Sequence, residues 1–414
     1  MITSQVGRIA RKSSQALRIG RDEGSAELLR RLTRQLSTRL GADLPLLPLL
    51  ADDVADSSTF VLPAQPAAGP GGRLRINWIS SPPSEGSGGN TTIFRFMKAL
   101  EDAGHLCTLS VYDRYGGDIR THERAVRSWW PQIKARVGEV GPELEPADAY
   151  VATSWPTAHV VARRATRPAH YFYLTQDFEP FFYPRGAEYA LAEDTYRFGF
   201  NHLAVGRMVA ARLRREIGVA STVAEFAADQ SVYRLTNPQR RNEIAFYAKP
   251  DTPRRGFNLA VLALERFHRA RPDVVIHSYG MRIPRLPFPV HQQLHLPPPA
   301  LNELYNRCAA GLALSFTNVS LIAQELLASG AVPVVNDAAD VRQDLSNHHV
   351  GWAAATPEAI AAALCRAIDG ETATPGEIAA SVETTSWSAA QRVVVAAIES
   401  KCFASDDDVF VGRA

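Results

Sequence analysis

Three segments of this 414-residue chain combine residue types that can hold an anionic, hydroxylated ligand. The first is SEGSGGN at residues 84–90, where Gly88 and Gly89 stand directly before a helical pattern. Glycines let a ligand approach the backbone closely, and the free amides at a helix N-terminus attract anions. The dinucleotide fingerprint G-x-G-x-x-G is not met, so an anion-binding loop and a purely structural turn both stay open.

The second segment, AKPDTPRRGFNL at residues 248–259, gathers cations where a predicted strand passes into a helix. Lys249, Arg254 and Arg255 lie beside the helix N-terminus, whose dipole disfavours positive charge unless an anion is also bound. The arrangement therefore favours a diphosphate site, with a solvated basic loop as the alternative.

The third segment, residues 311–337, predicts a strand, a polar loop, a helix and a further strand. Thr317, Asn318 and Ser320 are residue types that cap helix N-termini. Glu325 follows one turn into the helix among leucines, and a carboxylate in apolar surroundings usually has hydrogen-bond partners. Ligand hydroxyls are one such partner; an exposed helical glutamate is the alternative.

A fourth stretch, QDFEPFFYP at residues 176–184, follows another predicted strand. Asp177 and Glu179 can each orient the hydroxyl of an acceptor. Tyr183 belongs to a run of aromatic residues that either anchors the loop or contacts the ligand.

The elements around these segments predict two successive α/β halves. Residues 73–80, 91–104 and 105–113 alternate as strand, helix and strand, which is a βαβ unit with a parallel sheet. The same alternation restarts after the polar stretch 236–242. We expect a doubly wound fold of two Rossmann-like domains, with the ligand in the cleft at the carboxyl ends of the strands.

Charge distribution separates an N-terminal arm from the body. The net charge is +2, yet residues 1–40 hold nine basic and three acidic residues, so the remainder is mildly acidic. Residues 26–40 form an amphipathic helical pattern, consistent with docking on the body or with contact to anionic lipid. The predicted organisation is given in order along the chain: a basic arm at 1–40, a Pro/Ala/Gly-rich linker at 41–72, a first Rossmann-like domain at 73–238, a second Rossmann-like domain at 239–400 and an acidic tail at 401–414.

Four separated cysteines without zinc spacing predict a reducing, cytoplasmic environment. No run of 18 apolar residues occurs, and the basic start lacks the apolar stretch of a secretory signal. A net charge of only +2 argues against a dedicated nucleic-acid partner.

Taken in this order, the segments resemble those of the GT-B glycosyltransferases of family four, which are retaining enzymes that use nucleotide sugars. The resemblance covers roughly residues 73–400, and SGGNTTIFRFMKALEDAGHLCTL is similar to that family's glycine pair, helix and second strand. It implies that 73–238 is the acceptor-side domain and that 239–400 is the donor domain. Lys249 and Arg255 would have catalytic roles on the donor diphosphate, and Glu325 on the ribose. Further donor-binding residues would be Gly88, Gly89, Arg254, Thr317, Asn318 and Ser320.

The resemblance also implies a metal-independent transfer, in which cations stabilise the departing diphosphate. Asp177, Glu179 and Tyr183 would then lie on the acceptor side, with Asp177 as a further catalytic candidate. One departure is Thr317, which stands where the family's E-x7-E motif has its first glutamate. TNVSLIAQE and YLTQDFEPFFYP are most similar to rhamnosyltransferases of bacterial surface glycans, which implies dTDP-rhamnose as donor and a glycan or glycolipid as acceptor.

Two other classes stay open. Thr317 in place of an acid is also consistent with a non-catalytic GT-B subunit that supports a partner enzyme. An NAD-dependent oxidoreductase is a more distant alternative, because the glycine loop lacks the dinucleotide fingerprint.

Overall fold

Two parallel sheets organise the part of the chain that a computed structural model describes: residues 47–66, 71–84, 86–319, 321–370, 373–382 and 386–403. The predicted basic arm, Ser320 and residues 404–414 of the predicted acidic tail lie outside these ranges. The described residues from 50 onward form one compact unit, and the fold described below belongs to it.

Thirteen strands are found in the described residues. They are β1 (Arg75–Ser80), β2 (Leu106–Val111), β3 (Arg136–Glu139), β4 (Ala149–Ala152), β5 (His170–Thr175), β6 (Asn201–Val205), β7 (Ser221–Ala224), β8 (Glu243–Ala248), β9 (Val275–Gly280), β10 (His291–Gln292), β11 (Cys308–Leu312), β12 (Val332–Asn336) and β13 (Gly351–Ala353).

Helices connect these strands in the described ranges. They are α1 (Gly88–Asp102), α2 (Ile119–Trp129), α3 (Trp155–Arg164), α4 (Ala187–Asp194), α5 (Arg207–Arg212), α6 (Phe257–Ala270), α7 (Pro298–Tyr305), α8 (Leu321–Ala328), α9 (Ala339–Asp344), α10 (Pro357–Asp369), α11 (Pro375–Ala380) and α12 (Trp387–Cys402). None of the described helices combines the length with the apolar character needed to cross a bilayer.

The first sheet has the order β3-β2-β1-β4-β5-β6-β7 and the second the order β10-β9-β8-β11-β12-β13. All strand pairs in both sheets are parallel. Strands β4, β5 and β12 are buried along their whole length, as expected where helices cover both faces of a sheet. The predicted fold class, two Rossmann-like α/β halves, is confirmed.

Helix α1 begins at Gly88, within the glycine segment. The Ser87 side chain accepts a hydrogen bond from the backbone N–H of Asn90, which caps the helix. The buried apolar side chains of α1, among them Phe94, Met97 and Leu100, recur at helical spacing and form the face that enters the core. This burial fixes the glycine segment at the carboxyl end of β1.

Gly256 sets the entry to α6. Its φ of +64° lies in the left-handed region, and an added Cβ would come within 2.9 Å of the Phe316 ring. A glycine is therefore required where the basic segment passes close to the loop after β11.

Helix α12 packs against α1 and β7, so the C-terminal end of the chain returns to the first half. The side-chain amide of Gln391 donates to the Arg95 carbonyl at 2.9 Å, and His105 Nε2 lies 3.0 Å from Glu399 Oε1. The two halves are therefore joined through α12 as well as through the crossover between β7 and β8.

Residues 50–66, where the composition predicts a linker, make buried contacts with the first half. Both Asp53 carboxylate oxygens accept from the Arg164 guanidinium at 2.7 Å, and Tyr112 donates to the same carboxylate at 2.8 Å. Further along, the Ala55 N–H donates to His159 Nδ1 at 3.1 Å. Hydrogen bonding at a buried carboxylate fixes a segment whose composition alone resembles that of a flexible chain.

Asp53→Ala should lower the free energy of unfolding by about 3 kcal/mol, because it leaves a partly buried guanidinium without its carboxylate. Asp56→Ala, in the same segment, is the matched control and should lower stability by less than about 1 kcal/mol, because the hydrogen bonds it loses, to Ser58, are exposed. Urea unfolding followed by far-UV circular dichroism measures both variants, and equal stability of the two would contradict the prediction.

Candidate functional site

The site lies where the carboxyl ends of β5 and β11 face one another from different sheets. Asp177 follows β5, and its Oδ2 accepts a hydrogen bond from Thr317 Oγ1 at 2.8 Å. Its Oδ1 accepts from the backbone N–H of Asn318 at 3.3 Å. The Asn318 side-chain amide donates in return to the Gln176 carbonyl at 2.7 Å. These contacts join the loop after β5 to the loop after β11.

Arg254 adds a positive charge to this junction. Its Nε lies 3.7 Å from Asp177 Oδ2, and its guanidinium carbon lies 4.0 Å from the centre of the Phe182 ring. The Arg254 carbonyl also accepts from the Phe316 N–H at 2.9 Å, which ties the basic segment to the loop after β11. Arg254 is therefore held by an acid and an aromatic ring of the first half and by a backbone amide of the second.

Arg255 points into the second half instead. Its Nη1 donates to Ser315 Oγ at 3.0 Å, and Ser315 is fixed by Asn336, whose Oδ1 accepts from the Ser315 N–H at 2.8 Å. Burial lowers the pKa of Arg255, and the neighbouring Arg254 lowers it further. Two adjacent guanidinium groups with little solvent make a site that an anionic ligand would stabilise.

Asp177 is the acid that faces these cations, and only 4% of its surface is exposed. Burial raises its pKa, whereas Arg254, Arg255 and the hydrogen bond from Thr317 act in the opposite direction. The carboxylate is thus compensated by partners from the other half of the chain.

The glycine segment reaches the same junction. Gly88 opens α1, and a Cβ added to Gly89 would lie 3.7 Å from the Gln176 side-chain amide. Gly86 has a φ of +66°, which favours glycine, and an added Cβ would lie 2.0 Å from the exposed His295 ring of the second half, which would have to move. The glycine segment therefore contacts the second half, which its sequence alone does not predict.

Lys249 comes directly after β8 and is half-buried. Within the described ranges its ammonium has no hydrogen-bond or ion-pair partner, so its charge is available to a ligand. Ser320 lies outside the described residues.

Glu325 lies on α8 and contacts a group of tyrosines. Tyr305 donates to Glu325 Oε2 at 3.5 Å, and the Tyr279 and Tyr305 hydroxyls are 2.7 Å apart. Burial raises the pKa of Glu325 to about 7, while the Tyr305 and Tyr233 hydroxyls lower it. The side chain has hydrogen-bond partners within the protein, as its apolar surroundings predict, but it is not among those that contact Asp177.

Glu179 and Tyr183 contact helix α3 rather than the Asp177 junction. Glu179 Oε2 accepts from the Trp155 N–H at 2.5 Å, at the positive end of α3, and the Tyr183 hydroxyl accepts from Trp155 Nε1 at 3.1 Å. Burial raises the pKa of Glu179 to about 8. The structure thus separates two acids that stand two positions apart in the sequence.

Several residues at the junction are not singled out by the sequence. Gln176, Ser315 and Asn336 each stand at the carboxyl end of a strand or within three residues of it, which is the one signal that would have drawn attention to them. The described residues contain no group of three or more His, Cys, Asp or Glu side chains placed to hold a metal ion.

Comparison with known proteins agrees with this architecture. Residues 135–207 match the family described as "WsaF, N-terminal domain" and residues 242–365 match "WsaF, C-terminal domain". The O-antigen biosynthesis protein RfbC of Myxococcus xanthus is 29% identical over 266 residues, which cover 59% of this chain. The chain spans 20% of the length of that relative.

Solved structures resemble the whole α/β body. Anabaena HepE in complex with UDP-glucose has a TM-score of 0.55 at 12% identity and covers 82% of this chain and 100% of its own. WaaG, a glycosyltransferase involved in lipopolysaccharide biosynthesis, has a TM-score of 0.51 at 11% identity and covers 78% of this chain and 99% of its own. The chain therefore has the GT-B fold of glycosyltransferases.

Glu179→Gln should reduce the fall in the free energy of unfolding that occurs as the pH rises. Burial raises the pKa of Glu179 from its ordinary 4.5 to about 8, so the folded state binds this proton more tightly than the unfolded chain. Between these two pH values the group is ionised in the unfolded chain but still protonated in the folded state. The free energy of unfolding therefore falls as the pH rises through this interval. The glutamine keeps an oxygen to accept from Trp155 but cannot ionise.

Urea unfolding at a series of pH values measures this effect. Glu143→Gln, at an exposed position, is the matched control and should keep the wild-type profile. Parallel profiles for Glu179→Gln and wild type would show that Glu179 does not cause the decline.

Proposed function

We propose that this chain is a retaining glycosyltransferase of family four that moves a sugar from a nucleoside-diphosphate donor to a hydroxyl of a glycan acceptor. Its pathway would be the synthesis of bacterial surface polysaccharide, a role supported by the match to WsaF domains and the similarity to RfbC. The observation that carries the proposal is the junction at which Arg254, Asp177 and Thr317 meet from facing strand ends.

The positive charge at this junction suits a diphosphate leaving group. Lys249 has no partner in the described part of the protein, Arg255 is half-buried beside Ser315, and the Asn318 amide lies at the same loop. Negative charge grows on the diphosphate as the glycosidic bond breaks, and preorganised cations and amides in a site of low polarity stabilise it most there. These groups supply the charge by themselves, so the proposed reaction needs no metal or other cofactor.

Retention would follow from attack on the face that the leaving group departs from, with the departing phosphate accepting the acceptor's proton. In that arrangement no dedicated base is required. Asp177 already accepts hydrogen bonds from Thr317 and Asn318, so we assign it the role of orienting the loop after β11 against Arg254. Asp177 would then contribute to catalysis indirectly, by positioning the residues of the donor site.

Thr317 and Glu325 bear on the choice of donor. Thr317 offers a hydroxyl, already directed to Asp177, where the family has a glutamate. Glu325 would hold a ribose hydroxyl, and with dTDP-rhamnose it would have only the 3′-hydroxyl to bind. We propose rhamnose as the transferred sugar on the resemblance of TNVSLIAQE and the stretch around Asp177 to rhamnosyltransferases.

We also propose a cytoplasmic location for the enzyme. The basic arm at residues 1–40 would contact anionic lipid at the inner face of the membrane, where lipid-linked glycans are assembled.

Lys249→Ala should weaken the binding of UDP and dTDP about tenfold, because it removes a charge-assisted contact to the diphosphate. The melting temperature of the free protein should not change, since Lys249 has no partner among the described residues. Thermal-shift titration measures both quantities, because a ligand that binds the folded state raises its stability.

Arg269→Ala, an exposed cation on α6 paired with Glu265, is the matched control and should bind nucleotide like wild type. GDP and NAD are titrated against the wild-type protein in the same way. The proposal fails if no nucleoside diphosphate stabilises the wild-type protein, and a shift with NAD alone would favour the oxidoreductase.

Glu325→Gln should lower the rate of sugar-nucleotide turnover while the protein stays folded, because a neutral amide replaces the proposed partner of the ribose. Hydrolysis or transfer is followed by mass spectrometry with dTDP-rhamnose, UDP-glucose and GDP-mannose. Turnover equal to wild type would remove the assigned role of Glu325. Nucleotide binding without any turnover in the wild-type protein would instead favour the non-catalytic subunit, which Thr317 motivates.

A further inference from the structure

Glu179 is a buried acid that takes no part in the proposed transfer, although it stands two positions after Asp177. Only 4% of its surface is exposed. Its Oε2 accepts from the Trp155 N–H at 2.5 Å, and its own backbone N–H donates to the Tyr196 hydroxyl at 3.0 Å. Glu179 is therefore held by the first half through both its side chain and its main chain.

The turn that begins at Glu179 carries two contacts with Arg254. It is a single 3-10 turn, Glu179–Phe182. Asp177, whose Oδ2 lies 3.7 Å from Arg254 Nε, comes just before this turn. Phe182, whose ring centre lies 4.0 Å from the Arg254 guanidinium carbon, ends it. Because Glu179 anchors the turn to α3 between these two contacts, a shift of Glu179 away from α3 would move both partners of Arg254.

Phe178 leaves little freedom between the two acids. Its ring is fully buried and packs against Phe181 and Tyr196, with ring centres 4.9 and 5.4 Å away. The Phe178 N–H also donates to Asp177 Oδ1 at 2.9 Å. Close-packed side chains shift together, so a displacement at Glu179 is passed on to Asp177.

The surroundings of Glu179 favour its neutral form. The described residues include no cation within ion-pair distance of its carboxylate, and Arg254 pairs with Asp177 instead. Burial, together with the nearby Asp177 carboxylate, raises the pKa of Glu179 to about 8. The groups that act in the opposite direction are the Trp155 N–H, the Tyr173 hydroxyl and the Arg254 guanidinium. At neutral pH the side chain is therefore mostly an uncharged acid.

Three further titratable groups lie around this carboxyl group and supply no charge at neutral pH. Burial raises the pKa of Tyr183 and of Tyr196, so both hydroxyls stay protonated. His202, whose ring centre lies 5.9 Å from that of Tyr196, is neutral because burial lowers its pKa to about 4. Ionised Glu179 would therefore add a second buried carboxylate beside Asp177 without a cation of its own, which is costly.

We propose that Glu179, as the neutral acid, is a positioning residue that holds Asp177 against Thr317 and the Asn318 N–H. Its ionisation at alkaline pH releases the turn from α3, weakens the contacts of Asp177 with the loop after β11 and lowers the affinity for the donor nucleotide. The effect on these contacts depends on the protein alone, whereas the effect on nucleotide binding rests on the proposed glycosyltransferase function.

Hydrogen–deuterium exchange of the full-length protein without ligand tests the positioning role. Wild type is compared at each pH with Glu179→Gln, which keeps an oxygen to accept from Trp155 but cannot ionise. The peptide to follow covers the loop after β11, where the Asn318 N–H donates to Asp177. The two proteins should exchange alike at pH 7. At pH 9 this peptide should exchange about tenfold faster in wild type, because the ionised form of Glu179 then dominates.

Two further variants separate charge from hydrogen bonding. Glu179→Leu is neutral but gives the Trp155 N–H no acceptor, so the loop after β11 should exchange fast at both pH values. Glu143→Gln, at an exposed position, is the matched control and should exchange like wild type at both. Equal exchange of wild type and Glu179→Gln at pH 9, or slow exchange in Glu179→Leu, would overturn the positioning role.

Calorimetric titration with UDP at pH 7 and pH 9 tests the link to the donor site. Wild type should bind UDP about tenfold more weakly at pH 9, while Glu179→Gln should bind it equally at both pH values. A decline of equal size in the variant would arise from another group and would contradict the link. If wild type binds none of UDP, dTDP and GDP at pH 7, the proposed glycosyltransferase function fails instead, and the exchange measurements decide the positioning role by themselves.

Discussion

The arrangement of the site depends on a buried carboxylate that belongs to one half of the chain and is compensated by the other. Asp177 follows β5, yet the groups that offset its charge, Thr317, the Asn318 amide and Arg254, all follow strands of the second sheet. Burying a carboxylate without partners is costly. The contact therefore favours the closed arrangement of the two halves.

Other polar contacts support the same arrangement. Asp344 accepts from two N–H groups of α5, and Asp340 pairs with Arg212, so the far side of the junction is also held by carboxylates of the second half. Opening the halves would expose these groups to water, which can replace their partners.

The sequence predicts the fold class well because many of the strands and helices have a local signal. Buried strands such as β5 and β12 are continuous apolar runs, and α1 has both a serine cap and helical spacing of its apolar residues. Local composition is less informative for residues 50–66. Their proline and alanine content predicts a linker, but a single buried aspartate with an arginine partner fixes the segment on the first half.

The sequence by itself determined that glycines, cations and hydroxyl groups follow the carboxyl ends of strands. It could do so because residue types and the order of strands along the chain are local properties. Only the tertiary structure decided which of those side chains meet. Asp177 and Glu179 are chemically alike and two positions apart, yet one faces Arg254 and the other accepts from the first N–H of α3. The direction of each carboxylate is set by contacts with residues far away in the chain, which no local pattern encodes.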